Sequence, residues 1–119
     1  MHAYYRQPAI YKDQVVFIAE DDLWTFNLKE KVARRLTANL GMIRYPQFSP
    51  DGKQIAFTST EEGTSEIYIM SSEGGEAKRL TYLGAYLYTL GWKGSKVIFA
   101  SSHSSIFQGF YKLYEIDSE

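Results

Sequence analysis

Short apolar runs rich in β-branched and aromatic residues recur along the chain, and polar turn-forming residues follow each of them. Three such runs lie at residues 15–17, 55–57 and 97–99. They are typical of β-strands, because branched and aromatic side chains suit a pleated, half-buried surface. Turn sequences separate the runs, such as Ser-Pro-Asp-Gly at residues 49–52 and Glu-Gly-Gly at residues 73–75. The pattern therefore predicts an all-β protein.

The apolar runs belong to an internal repeat. Residues 23–37 align with residues 67–81 without a gap at an offset of 44, and both stretches end in Arg-Leu-Thr. A third copy begins at Leu113. Each complete copy holds four short segments within about 40–45 residues, which is the period of a β-propeller blade. The repeat predicts a partial β-propeller with two complete four-stranded blades and most of a third.

The same repeat divides the chain into predicted units. They are an N-terminal segment at 1–7, blade one at 8–37, blade two with its leading connection at 38–81, and blade three without its outer strand at 82–119. Three blades span only an arc, and exposed blade faces favour association. If the complete ring has six blades, we expect two copies to pair head to tail, with the N-terminal segment as a latch strand on the partner's third blade; higher aggregates are the alternative.

Residues 28–40 carry a pattern that favours a helix instead. Four apolar residues follow one another at intervals of four, and Asn27 stands where a helix cap would. The aligned copy, however, places Gly74 and Gly75 in the equivalent stretch, and glycine does not propagate a good helix. We therefore predict a hairpin turn at residues 29–31.

Three aromatic residues on the second and third strands of the repeat are the predicted core. Phe57, Tyr68 and Trp24 should lie inside, between blades, because large aromatic side chains dominate the packing of such cores.

Composition and charge narrow the classes of protein that fit. The chain has 119 residues, 45% of them hydrophobic, and a formal net charge of -1. These values exclude wholesale disorder and give no surplus of positive charge, so we expect no nucleic-acid partner. No apolar run approaches the ~20 residues that span a bilayer, so we expect no membrane association. Cysteine is absent, which excludes disulfides and thiolate sites and fits a reducing compartment.

The polar residues offer little catalytic chemistry. The two histidines, His2 and His103, are far apart, and His103 stands among serines at residues 101–105. A nucleophile needs a base and an orienting group within hydrogen-bond reach, so this stretch is better explained as a solvated loop. The acidic residues 20–22 would suit a hard cation but lack EF-hand spacing, and a hairpin turn explains them better. We predict no catalytic residue, no metal site and no cofactor.

Candidate contact residues cluster on one predicted face. In a four-stranded meander the long connection at 101–111 shares an end with the connections at 38–45 and 82–89. We single out one cation and an aromatic set as candidate contacts for a peptide or protein partner: Arg44, Tyr82, Tyr86, Tyr88, Phe107, Phe110 and Tyr111. The alternation around Tyr86 and Tyr88 is equally typical of a buried inner strand, and core packing is the favoured interpretation.

Two resemblances follow from these motifs. Residues 45–57, which read Tyr-Pro-x-Phe-Ser-Pro-Asp-Gly-Lys-x-Ile-Ala-Phe, resemble the WD40-like repeat of TolB and of peptidase propellers. The Asp-Asp-Leu-Trp sequence at 21–24 and the Asn-Leu-Gly sequence at 39–41 look like the start of the first, six-bladed propeller of the tricorn protease family. This second resemblance extends over about residues 8–117.

The tricorn resemblance implies a function. That family comprises large cytosolic serine-type peptidases that assemble as hexamers and trim peptides released by the proteasome. Their catalytic residues lie far downstream, so the resemblance implies a cytoplasmic, non-catalytic propeller sector that forms part of a peptide channel or gate. Its partners would be peptides and the remaining blades of the parent propeller or a second copy of this chain. The alternatives are a TolB-like module that binds a protein partner and the access-filtering propeller of a prolyl-oligopeptidase-type hydrolase.

Overall fold

The computed structural model describes residues 6–38, 40–61, 63–101 and 112–119. These residues form three antiparallel sheets and contain no α-helix, so the predicted all-β class is confirmed. The first sheet contains β1 (Arg6–Tyr11), β2 (Gln14–Ala19), β3 (Asp22–Asn27) and β4 (Val32–Arg35). The second contains β5 (Ile43–Phe48), β6 (Gln54–Ser59), β7 (Glu66–Ser71) and β8 (Lys78–Arg79). The third contains β9 (Leu87–Lys93), β10 (Lys96–Ser101) and β11 (Lys112–Asp117).

The three sheets, called blades one, two and three in chain order, repeat one pairing scheme. Each strand pairs with the next in sequence, in the orders β1-β2-β3-β4, β5-β6-β7-β8 and β9-β10-β11. The second and third strands of every blade place two aromatic residues directly opposite each other. These pairs are Phe17 with Trp24, Phe57 with Tyr68, and Phe99 with Tyr114. The internal repeat of the sequence is therefore a repeat of strand register.

β1 begins at Arg6, two residues before the predicted start of blade one. The division of the chain into units stays a prediction.

A hairpin joins β3 to β4 where residues 28–40 locally favoured a helix. Asn27 Oδ1 accepts hydrogen bonds from the amides of Lys29 and Glu30, both at 2.9 Å. The amide of Lys31 donates to the carbonyl of Asn27 at 2.7 Å, and Lys31 reverses the chain with a φ of 56°. Asparagine satisfies nearby amides in this way at turns as readily as at helix caps. The predicted hairpin turn at residues 29–31 is confirmed.

Two apolar clusters separate the blades. Between blades one and two lie Val16, Ile18, Leu23, Ile43, Ile55, Phe57, Tyr68 and Met70. Between blades two and three lie Ala56, Ile67, Ile69, Leu87, Val97 and Phe99. The side chains of β6 and β7 alternate between the two clusters, because successive residues of a strand point to opposite faces. Blade two is thus packed on both faces, whereas each of the other blades is packed on one.

The predicted aromatic core is confirmed for two residues and wrong for the third. Phe57 and Tyr68 are 0% and 3% exposed, and their rings stack with centroids 5.9 Å apart. Trp24 is only half-buried. Its neighbour Leu23 points to the opposite face of blade one and packs against blade two. Trp24 therefore faces away from blade two, where no described residue forms a preceding blade.

The arrangement of the blades is that of a propeller sector. β1, β5 and β9 lie side by side in succession, while β4, β8 and β11 form the opposite edges of their sheets. The blades are therefore arranged radially, with the first strand of each innermost. The predicted partial β-propeller, with two four-stranded blades and three strands of another, is confirmed. Among the described residues, no helix is long and apolar enough to cross a membrane.

Candidate peptide-contacting surface on the inner strands

The inner strands of blades two and three meet through a pair of tyrosines. Tyr45 on β5 and Tyr88 on β9 approach edge to face, with ring centroids 5.0 Å apart and an interplanar angle of 76°. Tyr88 and Tyr45 are both half-buried, so each ring presents part of its surface to solvent. An aromatic pair with one exposed side offers a flat, rigid contact area at low entropic cost.

A β-bulge aims Tyr45 at this position. The pairing of β5 with β6 shifts register between Arg44 and Gln47, and Tyr45 has a φ of 57°. Its amide is turned away from β6 and donates to Gln7 Oε1 on β1 at 2.7 Å. Gln7 sits in an equivalent bulge of β1 with a φ of 52°. Bulges re-aim side chains in this way and are frequent next to functional sites.

The signal for these two bulges is present in the sequence, although the sequence analysis did not use it. Proline follows the bulged residue in both strands, at Pro8 and Pro46. Proline donates no ladder hydrogen bond, and in a sheet it is confined largely to edges and bulges. A proline at the same place in both strands therefore indicates the bulges, but it does not predict that Tyr45 contacts Tyr88.

A second contact ties the same two inner strands together. Trp92 Nε1 on β9 donates to the carbonyl of Gln47 on β5 at 3.0 Å. That carbonyl lies next to the bulge, so the indole hydrogen bond joins β9 to the bulged part of β5. Trp92 and the Tyr45–Tyr88 pair thereby hold the inner strands of blades two and three in a fixed relation.

Arg44, a predicted peptide contact, is held by protein groups. Its guanidinium forms an ion pair with Asp21 Oδ1 at 2.8 Å and donates to the carbonyl of Ile43 at 2.7 Å. The Arg44 side chain is 20% exposed. Asp21 belongs to blade one, so the pair links blades one and two. Asp21 therefore competes with any ligand carboxylate for the Arg44 guanidinium.

The predicted aromatic contacts fall into three groups. Core packing, the interpretation favoured from the sequence, is wrong for Tyr86, which precedes β9 and is 72% exposed, while Tyr88 is half-buried as part of the inner tyrosine pair. Tyr82 is 74% exposed, with the guanidinium carbon of Arg79 4.1 Å from its ring centroid. Phe107, Phe110 and Tyr111, together with Ser102 and His103 of the polar loop, lie outside the described residues.

The acidic residues 20–22 form a turn, as the sequence analysis favoured. Glu20 and Asp21 have φ values of 52° and 67°, which is the conformation of a two-residue type I′ hairpin turn. Asp22, which starts β3, pairs with Arg35 at 2.6 Å. The described parts of the chain bring no three His, Cys, Asp or Glu side chains together in a group that could hold a metal ion.

Asp22 is part of a clasp that closes the outer edge of blade one. Thr37 Oγ1 donates to Asp22 Oδ1 at 3.0 Å and accepts from the amide of Leu23 at 3.0 Å. Arg35 Nε donates to the carbonyl of Thr37 at 2.8 Å while its other end pairs with Asp22. The clasp fixes β4 to β3, and it gives the repeated Arg-Leu-Thr sequence a structural reason.

Blade two repeats the clasp with Glu66, Arg79 and Thr81. Thr81 Oγ1 donates to Glu66 Oε1 at 2.6 Å and Arg79 pairs with Glu66 Oε2 at 3.3 Å. Because glutamate is longer, its carboxylate also accepts the amides of Leu83 and Gly84 at 3.0 and 2.9 Å. Arg35 and Arg79 of the outer strands are therefore both held in ion pairs.

Glu66 is fully buried, and the groups around its carboxylate favour the ionised form. Burial alone would raise the pKa of Glu66, but hydrogen bonds from Thr81 and from the amides of Gly84 and Leu83 outweigh it. The pKa of Glu66 therefore lies below its ordinary value. The charged carboxylate anchors the connection that leads from β8 into β9, and so places Tyr86 and Tyr88.

A cleft of about 540 Å³ lies between blades one and two, at the end of the strands that is opposite to the clasps of Asp22 and Glu66. Gly52 and Tyr11 both line this cleft, and a Cβ atom at Gly52 would lie 2.2 Å from the Tyr11 ring. The preceding turn is fixed by Asp51, which accepts the amide of Lys53 at 2.9 Å and the hydroxyl of Ser49 at 2.8 Å. These two bonds lower the pKa of Asp51, that from Lys53 most strongly. The cleft carries both signs of charge, so the inner strands are the better candidate for contacting peptides.

The radial sheets and the inner strands define a β-propeller sector of the kind found in larger proteins. Comparison with known families gives the finer identity. Residues 2–119 match the family described as "Tricorn protease N-terminal beta propeller domain". The chain belongs to this family.

Curated relatives bear the same name. The chain is 39% identical over 101 residues to tricorn protease homolog 1 of Streptomyces coelicolor, a match that covers 84% of this chain and 10% of the relative. It is 38% identical over 78 residues to the tricorn protease of Thermoplasma acidophilum, covering 63% of this chain and 7% of the relative. The chain thus spans about a tenth of the length of these relatives.

Solved structures agree on the fold. A crystal structure of the tricorn protease superimposes with a TM-score of 0.86 and 28% identity, covering 99% of this chain and 13% of that one. TolB from Acinetobacter baumannii superimposes with a TM-score of 0.79 over 98% of this chain and 30% of that one. Its sequence identity is 23%, so this second similarity shows the fold alone.

Proposed function

We propose that this chain is a non-catalytic sector of the propeller of a tricorn-like serine peptidase, and that its inner strands line a channel or gate for peptides. The observation that carries the proposal is the half-exposed pair of Tyr45 and Tyr88, on adjacent strands nearest the propeller axis. Aromatic rings at such a place bind extended peptides through apolar contact without demanding one sequence.

Peptide binding tests the channel. A panel of short unstructured peptides is titrated into the chain, and the ring resonances of Tyr45 and Tyr88 are followed by NMR. We expect those resonances to shift, and Tyr88→Leu to weaken binding about tenfold or more, as is typical of an aromatic anchor. Tyr82→Leu, at an exposed tyrosine outside the inner strands, is the matched control and should bind like the parent. Equal affinity of all three proteins would contradict the proposal.

We propose that this chain is not itself catalytic, because its sequence offers no recognisable set of nucleophile, base and orienting group. Its two histidines stand far apart in sequence, and no Gly-x-Ser-x-Gly elbow occurs. We expect no cleavage when the purified chain is incubated with the same peptides and the mixture is followed by mass spectrometry. Cleavage that disappears in Ser102→Ala or His103→Ala would show that the chain is itself an enzyme.

The partners proposed for the two outer faces are further blades, from the parent propeller or a second copy of this chain. Ile10 on blade one and Leu113 on blade three are 65% and 69% exposed. Leu113 is the equivalent of Leu23 and Ile67, which are buried between blades. Light scattering should show a dimer that Leu113→Lys weakens; a monomer of 13.7 kDa at high concentration would exclude the second copy.

A cytoplasmic location is part of the same proposal. Support comes from the absence of cysteine and from the tricorn relatives. Fractionation of cells that produce the protein, followed by immunoblotting, should place it with cytoplasmic markers, and recovery in a secreted fraction would contradict this.

A further inference from the structure

The cleft between blades one and two brings several hydrogen-bond donors within reach of a ligand. Blade one supplies residues 11–14, at the turn from β1 into β2, and Asn27, while blade two supplies residues 52–53 and 71–73. Both walls belong to four-stranded blades. The volume of about 540 Å³ suits a small organic molecule.

Two hydrogen bonds between the blades hold the walls of this cleft in a fixed relation. Gln14 Nε2 on β2 donates to the carbonyl of Ser72 at 2.9 Å. Arg34 on β4 donates to the carbonyl of Glu73 at 2.9 Å. A cleft whose walls are already fixed loses little conformational freedom when a ligand binds.

The hydroxyl of Ser72 is the first available donor. Ser72 lines the cleft and is 5% exposed. Its amide donates to the carbonyl of Lys53 at 2.9 Å and its carbonyl accepts from Gln14, but its hydroxyl has no hydrogen-bond partner among the described residues. Polar groups that are largely removed from solvent are normally paired. The hydroxyl therefore indicates a place for a polar group of a ligand.

The side-chain nitrogen of Asn27 is the second available donor. Asn27 Oδ1 is occupied by the amides of Lys29 and Glu30, both at 2.9 Å. The nitrogen at the other end of the same amide group donates to no described residue, and Asn27 also lines the cleft. The group that Asn27 can still offer to a ligand is therefore a donor.

Positive charge is in excess along the cleft. Lys12 and Lys53 line it, and neither forms an ion pair with a described carboxylate. Asp13 is already paired with Lys29 at 3.4 Å, which leaves Glu73 as the remaining carboxylate among the lining residues. Two cations together with two neutral donors suit an oxyanion, because charge-assisted hydrogen bonds are the strong ones.

An aromatic ring adjoins one of these cations. Tyr11 lines the cleft and is half-buried. Lys12 Nζ lies 5.5 Å from the centroid of its ring. A ligand whose anionic group contacts Lys12 therefore has an apolar surface beside it, which favours an organic oxyanion over an inorganic one.

We propose that this cleft binds the oxyanion group of a small organic ligand, with the apolar part of the ligand against the ring of Tyr11. The anion accepts hydrogen bonds from Ser72 and Asn27 and is attracted by Lys12 and Lys53. Phosphate and carboxylate groups share this chemistry. The cleft has no lining residue in common with the tyrosine pair of the inner strands, so the site is independent of the peptide binding proposed above.

Three probes test the site and identify its anion. Phenyl phosphate, inorganic phosphate and benzoate are titrated into the chain, and the backbone amide resonances of Lys53 and Ser72 are followed by NMR. We expect saturable shifts with phenyl phosphate and an affinity about three- to tenfold lower for inorganic phosphate, which has no ring to pack on Tyr11. Tighter binding of phenyl phosphate than of benzoate would assign the site to phosphates, and the reverse order would assign it to carboxylates.

Variants separate a specific site from attraction to surface charge. Ser72→Ala leaves the charge unchanged and should keep the parent's thermal melt, because the hydroxyl has no described partner to lose. Its affinity for the tighter probe should nevertheless fall about three- to tenfold. Lys53→Met should lower the affinity about two- to fivefold. Lys93→Met, at an exposed lysine on β9 outside the cleft, changes the net charge equally and should bind like the parent.

Three outcomes would overturn the proposal. One is the absence of saturable shifts with all three probes, and another is equal affinity of Ser72→Ala and the parent. The third is an equal loss in Lys53→Met and Lys93→Met, because that would show attraction to net charge alone. Tyr88→Leu, which tests the inner strands, should bind the probes like the parent, so either proposal can fail without the other.

Discussion

Blades one and two place the same aromatic pair in different surroundings. In blade two, Phe57 and Tyr68 are 0% and 3% exposed, because blade one covers their face. In blade one, Phe17 and Trp24 occupy the same register but are only half-buried. The strands, the turns and the pairing are alike. The difference shows that burial in a repeat array depends on the number of neighbouring repeats rather than on the repeat itself.

The clasp of blade two is also more deeply buried than the clasp of blade one. The carboxylate of Glu66 is 1% exposed and binds the connection into blade three as well as its own outer strand. Asp22 is 13% exposed and its partner Arg35 is 48% exposed. A buried, multiply bonded carboxylate contributes more to stability than one whose partner is in solvent. The clasp of blade two should therefore contribute more to the stability of the fold than the clasp of blade one.

The largest effect should come from truncating the aromatic residue in the better-packed blade. Phe57→Ala should lower the free energy of unfolding by ~3–5 kcal/mol, because it leaves a cavity between blades one and two. A small fold has little stability to spare, so the variant should be largely unfolded. Phe17→Ala should cost less than about half as much, since its side chain is already half in solvent. Urea unfolding with equal m-values would measure both; equal losses would show that the blades are packed alike.

The next effect concerns a turn that contacts the neighbouring blade. Gly52→Ala should destabilise the protein by about 2–4 kcal/mol, because its φ of 73° is strained for alanine and the new Cβ meets the Tyr11 ring. Gly94 occupies the corresponding turn of blade three with a φ of 59° and nothing within 4 Å. Gly94→Ala should therefore show only the backbone strain, about 1 kcal/mol. A thermal melt in which both variants lose the same stability would exclude the contact between blades.

A third effect compares the two clasps. Glu66→Gln should cost about 1.5–3 kcal/mol, because the neutral amide weakens several hydrogen bonds to a buried charge and leaves Arg79 without its partner. Asp22→Asn should cost about 1 kcal/mol or less, because Arg35 is well solvated. Denaturant unfolding of both variants measures the difference. If Asp22→Asn proved the costlier change, the assignment of the stronger clasp to blade two would be reversed.

The smallest effect is the pH dependence of that clasp. The pKa of Glu66 is lowered in the folded protein, so its contribution to stability is present above its ordinary value of 4.5 and is lost as pH falls through the folded pKa. The stability gap between the parent and Glu66→Gln should therefore be full near neutral pH and shrink on acidification. A gap that stays constant down to about pH 3 would show that the charge of Glu66 does not stabilise the fold. Asp51, whose pKa is also lowered, should leave the variant with some acid sensitivity.

Much of the fold could be predicted from the repeat. The aligned Arg-Leu-Thr sequences placed β4 and β8 as fourth strands, and the glycines at 74–75 overruled the helical pattern of residues 28–40. Both inferences succeeded because strand period and turn chemistry act over a few residues, within which the sequence contains all the interacting groups.

The candidate site could be predicted only in part. Tyr88 was singled out, but its partner Tyr45 was not, because a bulge on another blade brings the two rings together. Arg44 was singled out as a contact for a peptide or partner, yet it forms an ion pair with Asp21, 23 residues earlier. Neither relation has a local signature, because the partners meet only when the blades pack.

The sequence by itself determined the strands, their register, the turns and the family, since each copy of the repeat carries the same short-range instructions. Tertiary structure decided which copies are buried and which side chains are available. Trp24 and Tyr68 hold equivalent places, but the described residues pack a neighbouring blade over Tyr68 alone. Asp22 and Glu66 also hold equivalent places, but Glu66 binds the connection into the next blade as well as its own outer strand. Burial and pairing depend on neighbours, and neighbours are supplied by the packing of whole blades rather than by any one repeat.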